Sequence, residues 1–430
     1  MSREFQAVKG MPDVLPKDVS AWHQFEAKWL RLMSAYGYEE IRLPILEQTL
    51  LFKRSVGEVT DIVEKEMFSF DDREREKGEC VNLSLRPEGT AGCIRAALQH
   101  GLLYHQTRRL WYSGPMFRHE RPQKGRYRQF TQVGIEAFGL EGPDIDLEQI
   151  FLMNRFWQML GISEALRLQV NSLGSLEARL VYREILVNYL SQYEAELDAD
   201  SQRRLRTNPL RILDSKNPAM AKIIEAAPKC SDHLDPPSQK HFEGFLQGLK
   251  DAGIPYEVNP NLVRGLDYYN RTVYEWVTDR LGSQGTVCAG GHYDTLVEQL
   301  GGKKEATYGV GFAVGIERVL LVQKELGQNY PFELDAYLIN VGEKPKSVAL
   351  QLAETLRNLC PTLRLVVHCG GGDFKQQFKK ADQSGAKIAL ILGDNEVANG
   401  TLGVKFLREE KDQLVVSKAE ISKFLAEYLG

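Results

Sequence analysis

The chain of 430 residues is poor in cysteine, with Cys80, Cys93, Cys230, Cys288, Cys360 and Cys369 forming no C-x-x-C pair. Its eight histidines include no H-E-x-x-H spacing. A disulfide framework is therefore not expected, and neither is a structural zinc site, because both announce themselves through such spacings. No apolar run approaches the ~18 residues that cross a bilayer. The stretch from Met1 to Pro16 lacks the apolar core of a signal peptide. The expected location is the cytoplasm, with no membrane role. Excess positive charge is also missing, since 54 Lys and Arg stand against 58 Asp and Glu, a net −4. From Asp335 onward 13 basic residues face 12 acidic ones, hence +1, leaving 41 against 46, hence −5, upstream. Neither part is a polybasic tail. A nucleic-acid partner would need a positive surface that is local.

What is present is a globular composition, 43% hydrophobic and 26% charged. The length exceeds one ordinary core, so two or three domains are expected. The densest feature is Arg118-His119-Glu120-Arg121-Pro122-Gln123-Lys124-Gly125-Arg126-Tyr127-Arg128, with five basic residues and one acid in eleven positions. Extended, aromatic-rich segments bracket it, Leu110 to Ser113 and Met116-Phe117 before, Gln129 to Phe138 after. In the second segment, alternation puts Phe130, Gln132, Gly134 and Glu136 on one face and Val133, Ile135 and Ala137 on the other. The Pro and Gly inside the basic stretch argue for a long hairpin loop over a helix. Arginine suits phosphate, because its planar fork makes bidentate, charge-assisted hydrogen bonds. A solvated charged hairpin is the alternative, and the loop alone does not decide.

Between Phe5 and His100 helices mix with short strands. A helix over Val19 to Tyr36 carries Trp22, Phe25, Trp29, Leu32 and Met33 on one face as core. Ile41 to Leu46 reads as extended, with Pro44 at an edge or interface. Strands near Met67 to Phe70, Cys80 to Leu85, Leu110 to Ser113 and Gln129 to Phe138 follow without a helix between each pair, which favours an antiparallel sheet flanked by helices, an α+β fold. Residues 171–256 turn polar and helical, with Ser175 as N-cap of a helix reaching Leu197 and breaks at Asn208-Pro209, Asn217-Pro218 and Asp235-Pro236-Pro237. Strand signals return at Arg271 to Thr278 and Thr286 to Ala289, so this module interrupts one sheet domain, 1–170 plus 257–330. Residues 335–430 alternate strand and helix, a separate small α/β domain with a largely parallel sheet. Its Gly370-Gly371-Gly372 lacks G-x-G-x-x-G and a P-loop lysine, and reads as a tight turn.

Four more segments place charge beside glycine. Leu85-Arg86-Pro87-Glu88-Gly89-Thr90 leads into an Ala-rich helix, which Glu88 or Thr90 would cap. Leu262-Val263-Arg264-Gly265-Leu266-Asp267-Tyr268-Tyr269 sets an arginine at a turn beside two tyrosines, which alone reads as core packing. In Cys288-Ala289-Gly290-Gly291-His292-Tyr293-Asp294 the paired glycines permit close approach to backbone, or mark a bulge or turn. Gly309 to Leu321 passes from glycines into a helix with Arg318 in its first turn. A cation there opposes the helix dipole, and a bound anion would reverse the sign. The other reading pairs Arg318 with Glu317 at the surface.

Together these segments resemble class II aminoacyl-tRNA synthetases, and within them the bacterial histidyl-tRNA synthetase family. Phe117-Arg118-His119-Glu120 with its loop is similar to motif 2, Gly315-Ile316-Glu317-Arg318 to motif 3, and Tyr38 to Glu47 around Pro44 to motif 1. Arg86-Pro87-Glu88-Gly89-Thr90, Leu262 to Tyr269 and Gly290-Gly291 resemble the histidine-specific motifs. The resemblance spans essentially the whole chain. It implies an antiparallel catalytic sheet, a helical insertion that approaches the tRNA acceptor arm, a C-terminal α/β anticodon-binding domain, and a homodimer. Two positions depart from the pattern, His292 where relatives often carry Arg and Thr131 where some carry His.

The implied activity is that of a histidine-tRNA ligase, using ATP with magnesium and no zinc. By resemblance Arg118, Arg264 and Arg318 serve the reacting phosphates, and Arg126 joins Arg118 and Arg318 on ATP. Glu88, Thr90 and Gln132 hold the ammonium side of histidine, Glu136 and Tyr269 the imidazole, with Tyr268 and Tyr293 lining the pocket. Arg121 and Gln123 face the tRNA acceptor end. No protein side chain is assigned to a metal. The alternative is the synthetase-like, non-catalytic regulatory subunit of histidine biosynthesis. Such proteins typically lack the anticodon-binding domain and lose motif arginines, whereas Arg118, Arg264, Arg318 and 335–430 are all present here.

Overall fold

The computed structural model describes residues 5–57, 60, 62–72, 81–215, 217–303 and 308–429. Cys80, the expected start of one strand, lies outside them, as do residues 1–4 and 430 of the expected domains. The chain divides into two units, Met1–Tyr330 and Pro331–Gly430.

Helix α1 (Pro16–Ala35) begins on a proline, whose missing N–H costs nothing in a first turn. It buries Phe25, Trp29, Leu32 and Met33, as expected, with Trp22 half-buried beside them. The extended run after it splits into β1 (Glu39–Glu40) and β2 (Leu46–Gln48), which belong to different sheets. Pro44 lies between them and has no N–H for a ladder. Helix α2 (Thr49–Val56), β3 (Ser69–Asp71) and β4 (Asn82–Leu85) follow, and β2, β4 and β3 form a small antiparallel sheet. Then come α3 (Thr90–Gln99), β5 (Arg108–Phe117) and β6 (Gln129–Phe138). Strands β5 and β6 form the expected hairpin, paired from Arg108 opposite Phe138 to Phe117 opposite Gln129.

Helix α4 (Pro143–Leu160) carries Asp144 and Asp146 in its first turn and ends on Gly161, whose φ of 68° suits a residue without a Cβ. After β7 (Arg167–Ser172) the chain is helical. Ser175 caps α5 (Leu176–Leu190) through the Ala178 N–H at 3.1 Å, and 3₁₀ turns carry the chain on to Glu196. Asp198 caps α6 (Ala199–Thr207), α7 (Ala221–Glu225) is short, and Asp235 caps α8 (Pro236–Asp251). Strands β8 (Tyr256–Val258), β9 (Asn270–Val277) and β10 (Thr286–His292), helix α9 (Leu296–Gln299), β11 (Gly309–Gly315) and α10 (Ile316–Glu325) complete the unit.

The main sheet has the order β1-β5-β6-β11-β10-β9-β7-β8, antiparallel except for its two edge pairs. Trp29, Phe156, Trp157, Phe245 and Val319, from α1, α4, α8 and α10, pack on one face with Val133 and Ile135 of β6. Tyr112, Tyr268 and Tyr293 belong to the core of the opposite face, together with α3 and α5. Because β7 runs to Ser172 and β8 starts at Tyr256, the two ends of the 171–256 segment are strands of this sheet. Helix α8 supplies Phe242 and Phe245 to the main core.

In the second unit β12 (Ala336–Asn340), α11 (Glu343–Leu359), β13 (Leu365–Val367), α12 (Phe374–Gln383) and β14 (Ile388–Leu392) appear in the expected alternation. Three parallel strands, β13-β12-β14, result. Helix α13 (Asp394–Asn399), antiparallel strands β15 (Thr401–Phe406) and β16 (Leu414–Ser417), and α14 (Ile421–Leu429) extend it. Gly370, Gly371 and Gly372 all have positive φ and turn the chain into α12. No helix among the described residues is long and apolar enough to cross a membrane.

Candidate active site

Small side chains make the floor. In β11, Gly309, Gly311, Ala313 and Gly315 share one face, while Phe312 and Val314 enter the core behind the sheet. The register sets Gly134 of β6 and Ala289 of β10 beside Ala313, and Gly291 beside Gly311. β10 thus continues through its glycine pair, with an irregularity against β9 between Gly291 and His292.

A cavity of about 160 Å³ opens over Ala289, Ala313 and Gly315 of this floor, while Tyr112, Glu136 and Tyr293 cover Gly134, Gly311 and Gly309. It brings together Arg118, Arg126, Arg264 and Arg318, and with them Glu88, Thr90, Gln132, Tyr268 and Tyr269. These residues come from the hairpin, the start of α3, the turn before β9 and the start of α10, so the motifs converge through the sheet register.

Glu88 caps α3. Its carboxylate accepts the N–H groups of Thr90 at 2.7 Å and Ala91 at 3.0 Å. An anion is favoured at that end of a helix. Burial nevertheless raises its pKa, opposed by these hydrogen bonds. Thr90 is thereby free to donate its hydroxyl to Glu136 Oε1 at 2.8 Å. Glu136 is 1% exposed and lies behind the cavity lining, as does Tyr293. Tyr112 donates to Glu136 Oε1 at 3.1 Å and Tyr293 to Oε2. Burial pushes the Glu136 carboxyl up to about 8.

The arginines are held through neutral acceptors or by one or two acids. Arg118 donates from Nε to Pro87 O at 2.9 Å and stands 5.3 Å over the Phe130 ring. Arg318 donates to Gly125 O at 2.8 Å, Thr286 O at 2.6 Å and Gln284 Oε1 at 3.1 Å. It makes no surface pair with Glu317, whose Oε1 accepts the Thr131 N–H at 2.7 Å. Burial, then the charges of Arg118 and Arg126, lower Arg318 to about 10. Arg126 is paired with Glu120 and lies 3.5 Å from Glu66. Arg264 is paired with Glu275 and sits 5.7 Å over Tyr269.

Three buried atoms of the lining residues make no hydrogen bond, namely Arg264 Nε, Gln132 Oε1 and Glu317 Oε2. A buried polar atom without a partner costs about 1–3 kcal/mol, so one donor and two acceptors stand ready for a ligand. Burial raises the Glu317 carboxyl to about 7.

Arg121 and Gln123 are exposed on the loop, outside the cavity. Gln123 and Arg126 exchange backbone hydrogen bonds of 3.0 and 2.9 Å around Gly125, and Arg128 N donates to Gly10 O at 2.7 Å. The basic loop is therefore an anchored turn. His292 is fully buried and does not line the cavity. Tyr112, Glu275 and Glu317 were not singled out as site residues by the sequence. Glu317 was visible only as the neighbour of Arg318, and Tyr112 only as one residue of the extended run Leu110 to Ser113.

An antiparallel sheet flanked by helices, with a second α/β unit, is the class II aminoacyl-tRNA synthetase architecture with an anticodon-binding domain. Residues 10–319 match the histidyl-tRNA synthetase family and residues 335–428 an anticodon binding domain. The chain belongs to the histidyl-tRNA synthetase family. It is similar to the apo histidyl-tRNA synthetase of S. aureus, with 33% identity, a TM-score of 0.80, and coverage of 98% of this chain and 100% of that one. A histidyl-tRNA synthetase from Nostoc sp. shares the fold at 17% identity and a TM-score of 0.72, covering 99% of this chain and 100% of that one. A Bacillus halodurans protein described as an ATP phosphoribosyltransferase regulatory subunit/histidyl-tRNA synthetase shares it at 21% identity and 0.64, covering 90% and 98%.

Proposed function

We propose that this chain is a histidine-tRNA ligase, which activates histidine with ATP to histidyl-adenylate and then passes it to the 3′ end of its tRNA. A carboxylate oxygen of histidine attacks the α-phosphorus, and the bond to the bridging oxygen breaks as pyrophosphate leaves. A ribose hydroxyl of the tRNA then attacks the carbonyl carbon, its proton passes to a phosphate oxygen of the adenylate, and the carbon–oxygen bond to that phosphate breaks as AMP leaves. The observation that carries this reading is the convergence of Arg118, Arg264 and Arg318 on one cavity that also holds Glu88. The first step needs little proton transfer and much stabilisation of charge spread over phosphate oxygens, the task that preorganised arginines perform.

In this reading Arg118 and Arg264 hold the α-phosphate, and Arg318 and Arg126 the far end of ATP. Glu88, Thr90 and Gln132 receive the histidine ammonium, aided by the unpartnered Gln132 Oε1. Tyr269 and the Glu136 network behind Thr90 face the imidazole side. A site with such polar partners rejects apolar isosteres, which would leave those groups unpaired. Glu317, whose Oε2 makes no hydrogen bond, would offer an oxygen to magnesium carried with ATP, which would supply further positive charge on the phosphates. Arg121 and Gln123 meet the acceptor end and its extra 5′ guanosine, the helical segment approaches the acceptor arm, and 335–430 reads the anticodon. Exposed Ile45, Leu46, Leu50 and Phe70 around the small sheet support a homodimer. Light scattering tests it.

The second reading is the regulatory subunit, a description that the Bacillus halodurans neighbour carries beside that of synthetase. Pyrophosphate exchange over a panel of amino acids separates the two. Exchange with histidine alone supports the ligase, and exchange with none supports the regulator.

A further inference from the structure

Away from the cavity, three segments far apart in sequence bring Asp146 of α4, His241 of α8 and His292 of β10 into one cluster, their ligand atoms all within 4.8 Å. Asp146 and His292 are 0% exposed and His241 7%. His292 Nε2 lies 2.7 Å and His241 Nε2 3.3 Å from the same oxygen, Asp146 Oδ2. Asp146 Oδ1 is buried with no hydrogen-bond partner, and His241 Nε2 has only its 3.3 Å contact with Asp146 Oδ2. The other nitrogen of His292, Nδ1, faces Asp294 Oδ1 at 3.2 Å. Asp294 is itself held by Arg271 Nε at 2.8 Å and Asn270 Nδ2 at 3.3 Å.

We propose that Asp146, His241 and His292 form a buried structural site for a divalent transition metal, with Zn²⁺ the best fit. Two imidazoles and a carboxylate suit zinc better than magnesium. Tetrahedral bonds of about 2.0–2.1 Å put ligand atoms ~3.3 Å apart; here the two imidazole nitrogens lie 2.7 and 3.3 Å from the shared Asp146 oxygen and all three ligand atoms fall within 4.8 Å, so a small adjustment of the rings admits the ion. The Asp294–His292 contact is the outer carboxylate that orients a ligating histidine, and the second oxygen of Asp146 can complete the shell. Complete burial leaves no open position for substrate, so the ion would tie α4, α8 and the end of β10 together. Tyr293, which bonds Glu136, is the next residue along. Without an ion, burial disfavours the charged His292 ring, but Asp146 and Asp294 raise it to about 10, so a proton is the competing occupant.

The test uses the full-length chain, stripped with a chelator and dialysed at pH 8 against Zn²⁺ or Co²⁺. Expected are one zinc retained per chain, a visible Co²⁺ spectrum of four-coordinate intensity, and a Tm that rises with Zn²⁺ and falls with chelator. His241→Ala should abolish stoichiometric uptake, and Asp294→Asn should weaken it ~10–100-fold. No retained zinc, no Co²⁺ spectrum and an unmoved Tm in the unmodified chain overturn the proposal, leaving the proton as occupant. Equal uptake by a folded His241→Ala variant overturns it too.

Discussion

The hydroxyl of Thr90 donates to Oε1 of Glu136 over 2.8 Å, joining the start of α3 to the middle of β6. Through that bond a residue of the cavity wall is positioned by a carboxyl the cavity does not touch. Glu136 is in turn ringed by Tyr112 and Tyr293.

That enclosure makes Glu136 a pH-dependent element. Its carboxyl is raised by burial from 4.5 to about 8. A raised acid contributes stability that is full below the unfolded value and lost as pH rises through the folded one. Within that window stability should therefore fall by about 1.4 kcal/mol per pH unit. Glu136→Gln should flatten the loss. Urea unfolding at pH 5 to 9 checks this, and equal slopes in both proteins refute it.

Gly311 faces Glu136 across the β6–β11 pair, and a Cβ there would collide with the Glu136 carboxylate and the Ile135 carbonyl. Gly311→Ala should destabilise the chain by ~1–3 kcal/mol and raise the histidine KM. An unchanged midpoint of unfolding counts against the close packing.

Arg264→Ala should lower histidine-dependent pyrophosphate exchange by ~10²–10³-fold, the range for a lost charge-stabilising donor. Glu275→Gln, which removes only the charge partner, should retain most of the exchange. If the two variants fall together, Arg264 acts through the ion pair and not on the phosphate.

Arg318 satisfies three acceptors with one planar group. Lysine cannot reproduce that fork. Arg318→Lys should raise the KM for ATP roughly 10-fold or more, about 1.4 kcal/mol, while leaving the KM for histidine near its starting value. A normal ATP KM would remove Arg318 from the nucleotide site.

Exposed Arg121 sets up the opposite pattern. Arg121→Ala should leave pyrophosphate exchange unchanged and slow transfer to tRNA, by a factor that shrinks as salt rises. Loss of exchange would place Arg121 in the first step instead.

Much of the framework was readable one element at a time. Phe25, Trp29, Leu32 and Met33 lie where helical periodicity put them, and Gln132 and Glu136 share the face that alternation assigned. The 41–46 run, expected to be extended, carries only Leu46 into a strand, because Pro44, which cannot donate to a ladder, sits in the crossing from β1 of one sheet to β2 of the other. The end of α5 fell short of Leu197 because the chain tightens into 3₁₀ turns that an apolar pattern does not distinguish. Strands β15 and β16 were not anticipated at all. The signal was present in β15, where Leu402, Val404 and Phe406 alternate with Gly403 and Lys405 and are buried, whereas the Leu414-Val415-Val416 run of β16 does not alternate.

By itself the sequence determined what is local: helix faces, capping residues such as Ser175, the basic hairpin loop, the α/β alternation after Asp335, and motifs specific enough to indicate the family. Only the tertiary structure decided which of those residues meet. Register between strands put Gly311 under Glu136, and closure of long loops set Arg318 against Gly125 and Thr286. The same closure drew Asp146, His241 and His292 together from α4, α8 and β10. Such contacts depend on strand register and on packing between distant segments, and neither leaves a mark in the spacing of neighbouring residues.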